Sequence, residues 1–129
     1  MELLPVLYVA MGGAFGSVLR YGMSVWVGKI DTGDFPLPIF LINITGSFLM
    51  GLWIGYMATL LPGKAKELHL LVAVGVLGGY TTFSTFSMES YMLIEKGTYG
   101  LAACYIGGSV VLSILALFLG LLIFRSVVI

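Results

Sequence analysis

Charge is what this sequence has least of. Only 9 % of its 129 residues are charged, six basic and six acidic, while 60 % are apolar. A soluble domain carries about 25 % charged residues. So few charges cannot clothe a water-facing surface of this size, which excludes a soluble globular domain. Disorder is excluded as well, because disordered chains are polar and highly charged. A net charge of zero leaves no electrostatic footprint for nucleic acid. Cysteine and histidine are almost missing. Cys104 alone forms no internal disulfide or Cys metal cluster, and His69 alone cannot build a His-based metal site within one chain. The same scarcity argues against an enzyme. No Ser/His/Asp set assembles around one histidine, no paired carboxylates sit in an apolar stretch, and no phosphate-cradling Gly loop precedes a Lys. Transport or scaffolding remains.

What is present is long apolar sequence. The runs are Leu3–Gly28, Pro38–Leu61, Leu68–Ile94 and Tyr99–Ile123, joined by short connections. A membrane-spanning helix needs about 20 mainly apolar residues, so four take roughly 80 and leave only loops. The expectation is an all-α integral membrane protein with four transmembrane helices and one domain over 1–129. The start, Met1–Pro5, lacks the basic opening of a cleaved signal peptide, so the first run is read as a retained span. The third run would be about 40 Å long as a continuous helix, against roughly 30 Å of hydrocarbon. Inside it lies Gly78-Gly79-Tyr80-Thr81-Thr82-Phe83-Ser84-Thr85-Phe86-Ser87. Non-helical backbone is tolerated at membrane depth only where protein or a cavity covers it. A break is expected at Gly78–Thr82, facing inward or toward a partner.

Basic residues near span ends set orientation. With four spans both termini share a side. That side holds Lys64, Lys66 and Arg125, and the other holds Arg20, Lys29 and Lys96. The absence of bias permits insertion both ways, and hence an antiparallel homodimer; a single topology set by a weaker signal is the alternative. Glycines at four-residue spacing, Gly12/Gly16, Gly51/Gly55 and Gly75/Gly79, permit close helix approach in lipid, within the chain or between copies.

Polar residues inside the spans are costly there and so informative. Asn43, Ser47, Gly51 and Gly55 share a helix face. Asn43 is either helix glue or a neutral donor lining a pore. Phe83 and Phe86 share a face and are either core or, with the hydroxyls around them, a lining of electropositive ring edges. Tyr105, Ser109 and Ser113 form an i, i+4, i+8 series: hydroxyls bonded to their own helix, or a polar track. Arg20 either snorkels to the interface or pairs with a carboxylate, and it would draw anions into a vestibule. Glu89 is a helix-end residue or a polar group at a pore mouth.

Three blocks carry a family resemblance: Gly12-Gly13-Ala14-Phe15-Gly16-Ser17-Val18-Leu19-Arg20-Tyr21, Asn43-Ile44-Thr45-Gly46-Ser47-Phe48, and Gly75 through Ser87. Together they resemble the signature blocks of the Fluc (CrcB-type) fluoride channels, in order and along essentially the whole chain. The resemblance implies a multi-pass protein of the cell inner membrane that exports fluoride passively and protects against its toxicity. It implies a dual-topology antiparallel homodimer with two pores. Asn43, Phe83 and Phe86 would line the pore, Tyr105, Ser109 and Ser113 would continue it, and Arg20 would stand in the vestibule. A structural Na⁺ on the dimer axis would be held by the backbone carbonyls of Gly78 and Thr81. A proton-coupled multidrug antiporter also has four helices and dual topology, but it needs a carboxylate deep in the first span, where this chain has none. A scaffold subunit held by its glycine faces is the other rival.

Overall fold

The computed structural model describes residues 2–63 and 65–128, so Lys64 of the charge count lies outside the described residues. The described residues are all-helical, and four helices are long and apolar enough to cross a membrane. Helix α1 is Leu3–Val27 and α2 is Leu37–Leu60. Proline at the start of α2 suits a helix N-terminus, where its missing N–H leaves no bond unmade. The third span, Lys66–Glu95, is interrupted. Its first part, α3, runs from α-helix at Lys66–His69 through π-helix at Leu70–Leu77 to α-helix at Gly78–Tyr80. Its second part, α4, is Phe83–Glu95, and α5 is Tyr99–Val128. Helix α4 ends in a Schellman turn: Gly97 takes φ +76°, Gly97 N–H bonds Ile94 O, and Thr98 N–H bonds Leu93 O.

The break is narrower than the expected Gly78–Thr82. Gly78–Tyr80 stay helical, and only Thr81 (ψ 159°) and Thr82 (φ −152°, ψ 124°) are extended. Of the two glycines, Gly79 serves packing instead. Gly78 N–H still bonds Ala73 O and Gly75 O, and a Cβ on Gly79 would stand 2.6 Å from Gly13 O. The interruption comes from Thr82, whose hydroxyl accepts the Thr85 N–H at 3.2 Å and caps α4.

Glycine spacing builds two helix pairs inside the chain. Helix α1 lies on α3, where a Cβ on Gly12 would overlap Leu71 O and one on Gly16 would overlap Val76 O. Helix α2 lies on α5, where a Cβ on Gly51 would overlap Leu117 O and one on Gly120 would overlap Phe48 O. Small residues allow this backbone approach, which apolar contact alone does not drive in lipid. The buried core packs α4 onto the α2–α5 pair at one end through Ile39, Ile42, Phe86, Leu93, Ala102 and Tyr105, with Met23 of α1 and Tyr80 of α3 packed against it. Much of the remaining apolar surface faces outward, including Leu115, Phe118 and Leu122 of α5, as suits a lipid-facing helix.

Candidate functional site

Asn43 is placed by α2 opposite the break. Its Nδ2 donates to Thr82 O at 3.0 Å, and its Oδ1 accepts from Thr82 N–H at 2.9 Å. The carboxamide thus stands in for a neighbouring peptide group and satisfies both backbone groups of a residue outside any helix. One Nδ2 hydrogen remains after this pair, since the amide carries two donors. The capture has a second effect. Thr82 N–H is the donor that Gly78 O would receive in an unbroken helix, and Thr85 N–H is the donor for Thr81 O. Both are diverted, to Asn43 Oδ1 and to Thr82 Oγ1.

Beside the break lies a cavity of about 290 Å³, lined among others by Asn43, Ser47, Thr82, Phe86, Ser109 and Ser113. Thr81 and Phe83 also reach it. The two phenyl rings have centroids 5.4 Å apart, yet their environments differ. Phe86 is 8 % exposed and packs on the Tyr105 ring at 5.4 Å, whereas Phe83 is 76 % exposed. Phe83 therefore leaves the cavity open on its side in the single chain.

The hydroxyls divide into two kinds. Thr45, Ser87 and Ser90 donate to carbonyls one turn back, at 2.7 to 2.9 Å. Ser109 Oγ and Ser113 Oγ are buried and have no hydrogen-bond partner among the described residues, and both line the cavity. They do not bond their own helix. An unmatched buried hydroxyl costs about 1–3 kcal/mol, so two lining one cavity mark it as a place for a hydrogen-bonding group, to which each can offer its proton.

Tyr105 is fully buried just beyond the cavity lining, and its hydroxyl donates to Glu89 Oε2 at 2.6 Å. The structure does not bring Arg20 to this cavity. It lies half-buried on α1 and forms no ion pair among the described residues. Gly78 is absent from the lining as well. Sequence reasoning named Asn43 but missed Thr82 as its partner. Thr82 stands in the third signature block, but nothing in a linear sequence pairs residues 39 apart. No cluster of three or more His, Cys, Asp or Glu that could hold a metal ion occurs among the described residues.

Residues 7–121 match the protein family described as "CrcB-like protein, Camphor Resistance (CrcB)". The chain is 47 % identical to a protein of Novosphingobium aromaticivorans named "Fluoride-specific ion channel FluC", over 93 % of this chain and 95 % of that one. Proteins of the same name from Caulobacter sp. (strain K31) and Agrobacterium fabrum are 45 % and 44 % identical. They cover 95 % and 96 % of this chain, and 95 % and 98 % of their own lengths.

Proposed function

The chain belongs to the CrcB family, and from that membership we propose that it is a fluoride channel rather than an enzyme. It conducts fluoride passively out of the cell across the inner membrane and so protects against fluoride toxicity. The observation that carries this reading is the pair of buried, unpartnered hydroxyls of Ser109 and Ser113 facing the cavity that Asn43 and the phenylalanines also line. Fluoride is a compact, strongly hydrated acceptor. Losing its water is offset only by many short-range donors, and a Lys or Arg ring would hold the ion too deeply for exit. This lining offers hydroxyl protons, the spare Nδ2 hydrogen of Asn43 and the positive edges of phenyl rings, all without formal charge. Tyr105, next to Phe86, would extend the path toward Glu89. Arg20 would act at a distance, raising anion concentration in a vestibule.

Passage through one chain is incomplete, and the exposed Phe83 supports an antiparallel, dual-topology homodimer with two pores, each completed by a ring from the partner copy. The even distribution of Lys and Arg between the two sides fits insertion in both orientations. At the two-fold axis the carbonyls of Gly78 and Thr81 would hold a structural Na⁺. Their usual N–H donors are diverted by Asn43 and Thr82, which leaves oxygen ligands suited to a hard cation. Such an ion would supply electrostatic cross-linking of the two breaks and takes no part in conduction. A single domain over 1–129 suffices for all of this.

The deciding measurement is ion-selective-electrode efflux from liposomes holding the purified chain, with fluoride and chloride compared. Rapid fluoride release with chloride retained supports the channel. Equal release of both ions overturns selectivity, and release of neither returns the scaffold reading.

A further inference from the structure

At the opposite end of α2 from Asn43, the turn into α3 encloses a second cleft, of about 490 Å³. Its walls are apolar, from Ile54, Met57 and Leu61, and its mouth carries Lys66 and His69. We infer that this cleft binds an anionic phospholipid, with an acyl chain along the apolar wall and the phosphate held by Lys66 Nζ and His69 Nε2.

Three observations support this. The first is depth. Helix α2 is unbroken over 24 residues, about 36 Å at 1.5 Å per residue, so its ends, and the turn that leads to Lys66, reach beyond roughly 30 Å of hydrocarbon to the headgroups. Trp53 and Tyr56 stack at 5.5 Å beside this end, and such aromatics favour the headgroup level. The second is donor orientation. Trp53 Nε1–H donates to His69 Nδ1 at 3.2 Å. Nδ1 is thereby the acceptor, the ring hydrogen sits on Nε2, and a histidine donor is held in place without needing a charge. The third is charge. Lys66 and His69 are three residues apart and share a face, Lys66 makes no salt bridge among the described residues, and the neighbouring Glu67 is not part of the cleft wall. A basic mouth over an apolar groove between spans is complementary to an acidic headgroup on its own chain. The inference holds whether or not the chain conducts fluoride.

Trp53 is itself the reporter. With Trp26→Phe it becomes the sole tryptophan, and the full-length chain is reconstituted with brominated phosphatidylglycerol or brominated phosphatidylcholine at equal mole fraction. The phosphatidylglycerol should quench Trp53 with an apparent affinity about fivefold higher, the effect of one basic side chain at the surface. Lys66→Gln should bring that preference to near one, and Lys66→Arg should keep it, with both variants eluting as the parent does in size exclusion. Excess inorganic phosphate should leave the quenching unchanged. Equal quenching by both lipids overturns the proposal, as does no quenching by either, which would mean that protein covers the cleft. Full preference in Lys66→Gln, or relief by inorganic phosphate, overturns it too.

Discussion

Asn43 and Thr82 hold each other by two reciprocal hydrogen bonds, at 3.0 and 2.9 Å, across the gap between α2 and the interrupted third span. Asn43→Asp keeps the acceptor for Thr82 N–H but sets a second carboxylate oxygen against Thr82 O and a negative charge in the proposed path. A like charge about 4 Å from the ion costs about 4 kcal/mol at an effective dielectric near 20. Fluoride efflux should fall by about three orders of magnitude. An electrode trace from Asn43→Asp liposomes matching the parent would remove Asn43 from the path.

Phe83→Ile and Phe86→Ile should both slow fluoride efflux strongly while leaving the assembly intact, and they should part company in stability. Phe86 is buried against Tyr105, so its replacement leaves a void and lowers Tm, at a cost of about 1–3 kcal/mol. Phe83 is exposed in the single chain apart from its contact with the Phe86 ring, so Phe83→Ile should lower Tm less than Phe86→Ile does. Unchanged flux in either variant would contradict the role of the ring edges.

Ser109→Ala and Ser113→Ala should reduce flux without loss of stability, because each hydroxyl lacks a partner among the described residues. Removing an unpaired buried polar group is neutral or favourable by up to about 1–3 kcal/mol. Ser90→Ala is the contrast: it deletes a 2.7 Å bond to Phe86 O and should lower Tm. Paired efflux and thermal-unfolding measurements test the two kinds of hydroxyl together. A Tm drop in Ser109→Ala as large as in Ser90→Ala would show that Ser109 is structural.

Gly51→Ala forces a methyl into Leu117 O, and Gly12→Ala forces one into Leu71 O. Backbone cannot swing aside as a side chain can, so each should cost about 1–3 kcal/mol or more. Gly107→Ala meets nothing within 4 Å and should be tolerated. The yield of monodisperse protein after heating ranks the three, and a heat-stable Gly51→Ala would show that the α2–α5 seam is looser than its geometry.

The spans were legible because hydrophobic run length is dictated by the bilayer. Leu3–Gly28 becomes Leu3–Val27, and Pro38–Leu61 becomes Leu37–Leu60. Helix α5 runs past Ile123 to Val128, since a terminal Arg125 can reach water from a continuing helix. Glycine spacing reported close packing but not the partner helix. The Gly78-Gly79 pair pointed to the broken segment, while the break itself followed from a threonine cap and a distant asparagine. The π-helical register of Leu70–Leu77 has no counterpart in apolar patterning, because it is a choice among backbone bonds. Phe83 and Phe86 were found together by periodicity, yet their opposite exposures depend on what α5 covers.

The extended Thr81–Thr82 backbone also bears on how the protein is made. An unsatisfied peptide group in hydrocarbon costs several kcal/mol, and with its backbone extended Thr82 is satisfied by Asn43 and not by the third span's own residues. Its missing peptide partner is carried by α2, which leaves the ribosome earlier. The third span is thus a poor independent passenger into lipid and a good one beside α2. The broken form of the third span is therefore favoured only once the second helix stands beside it.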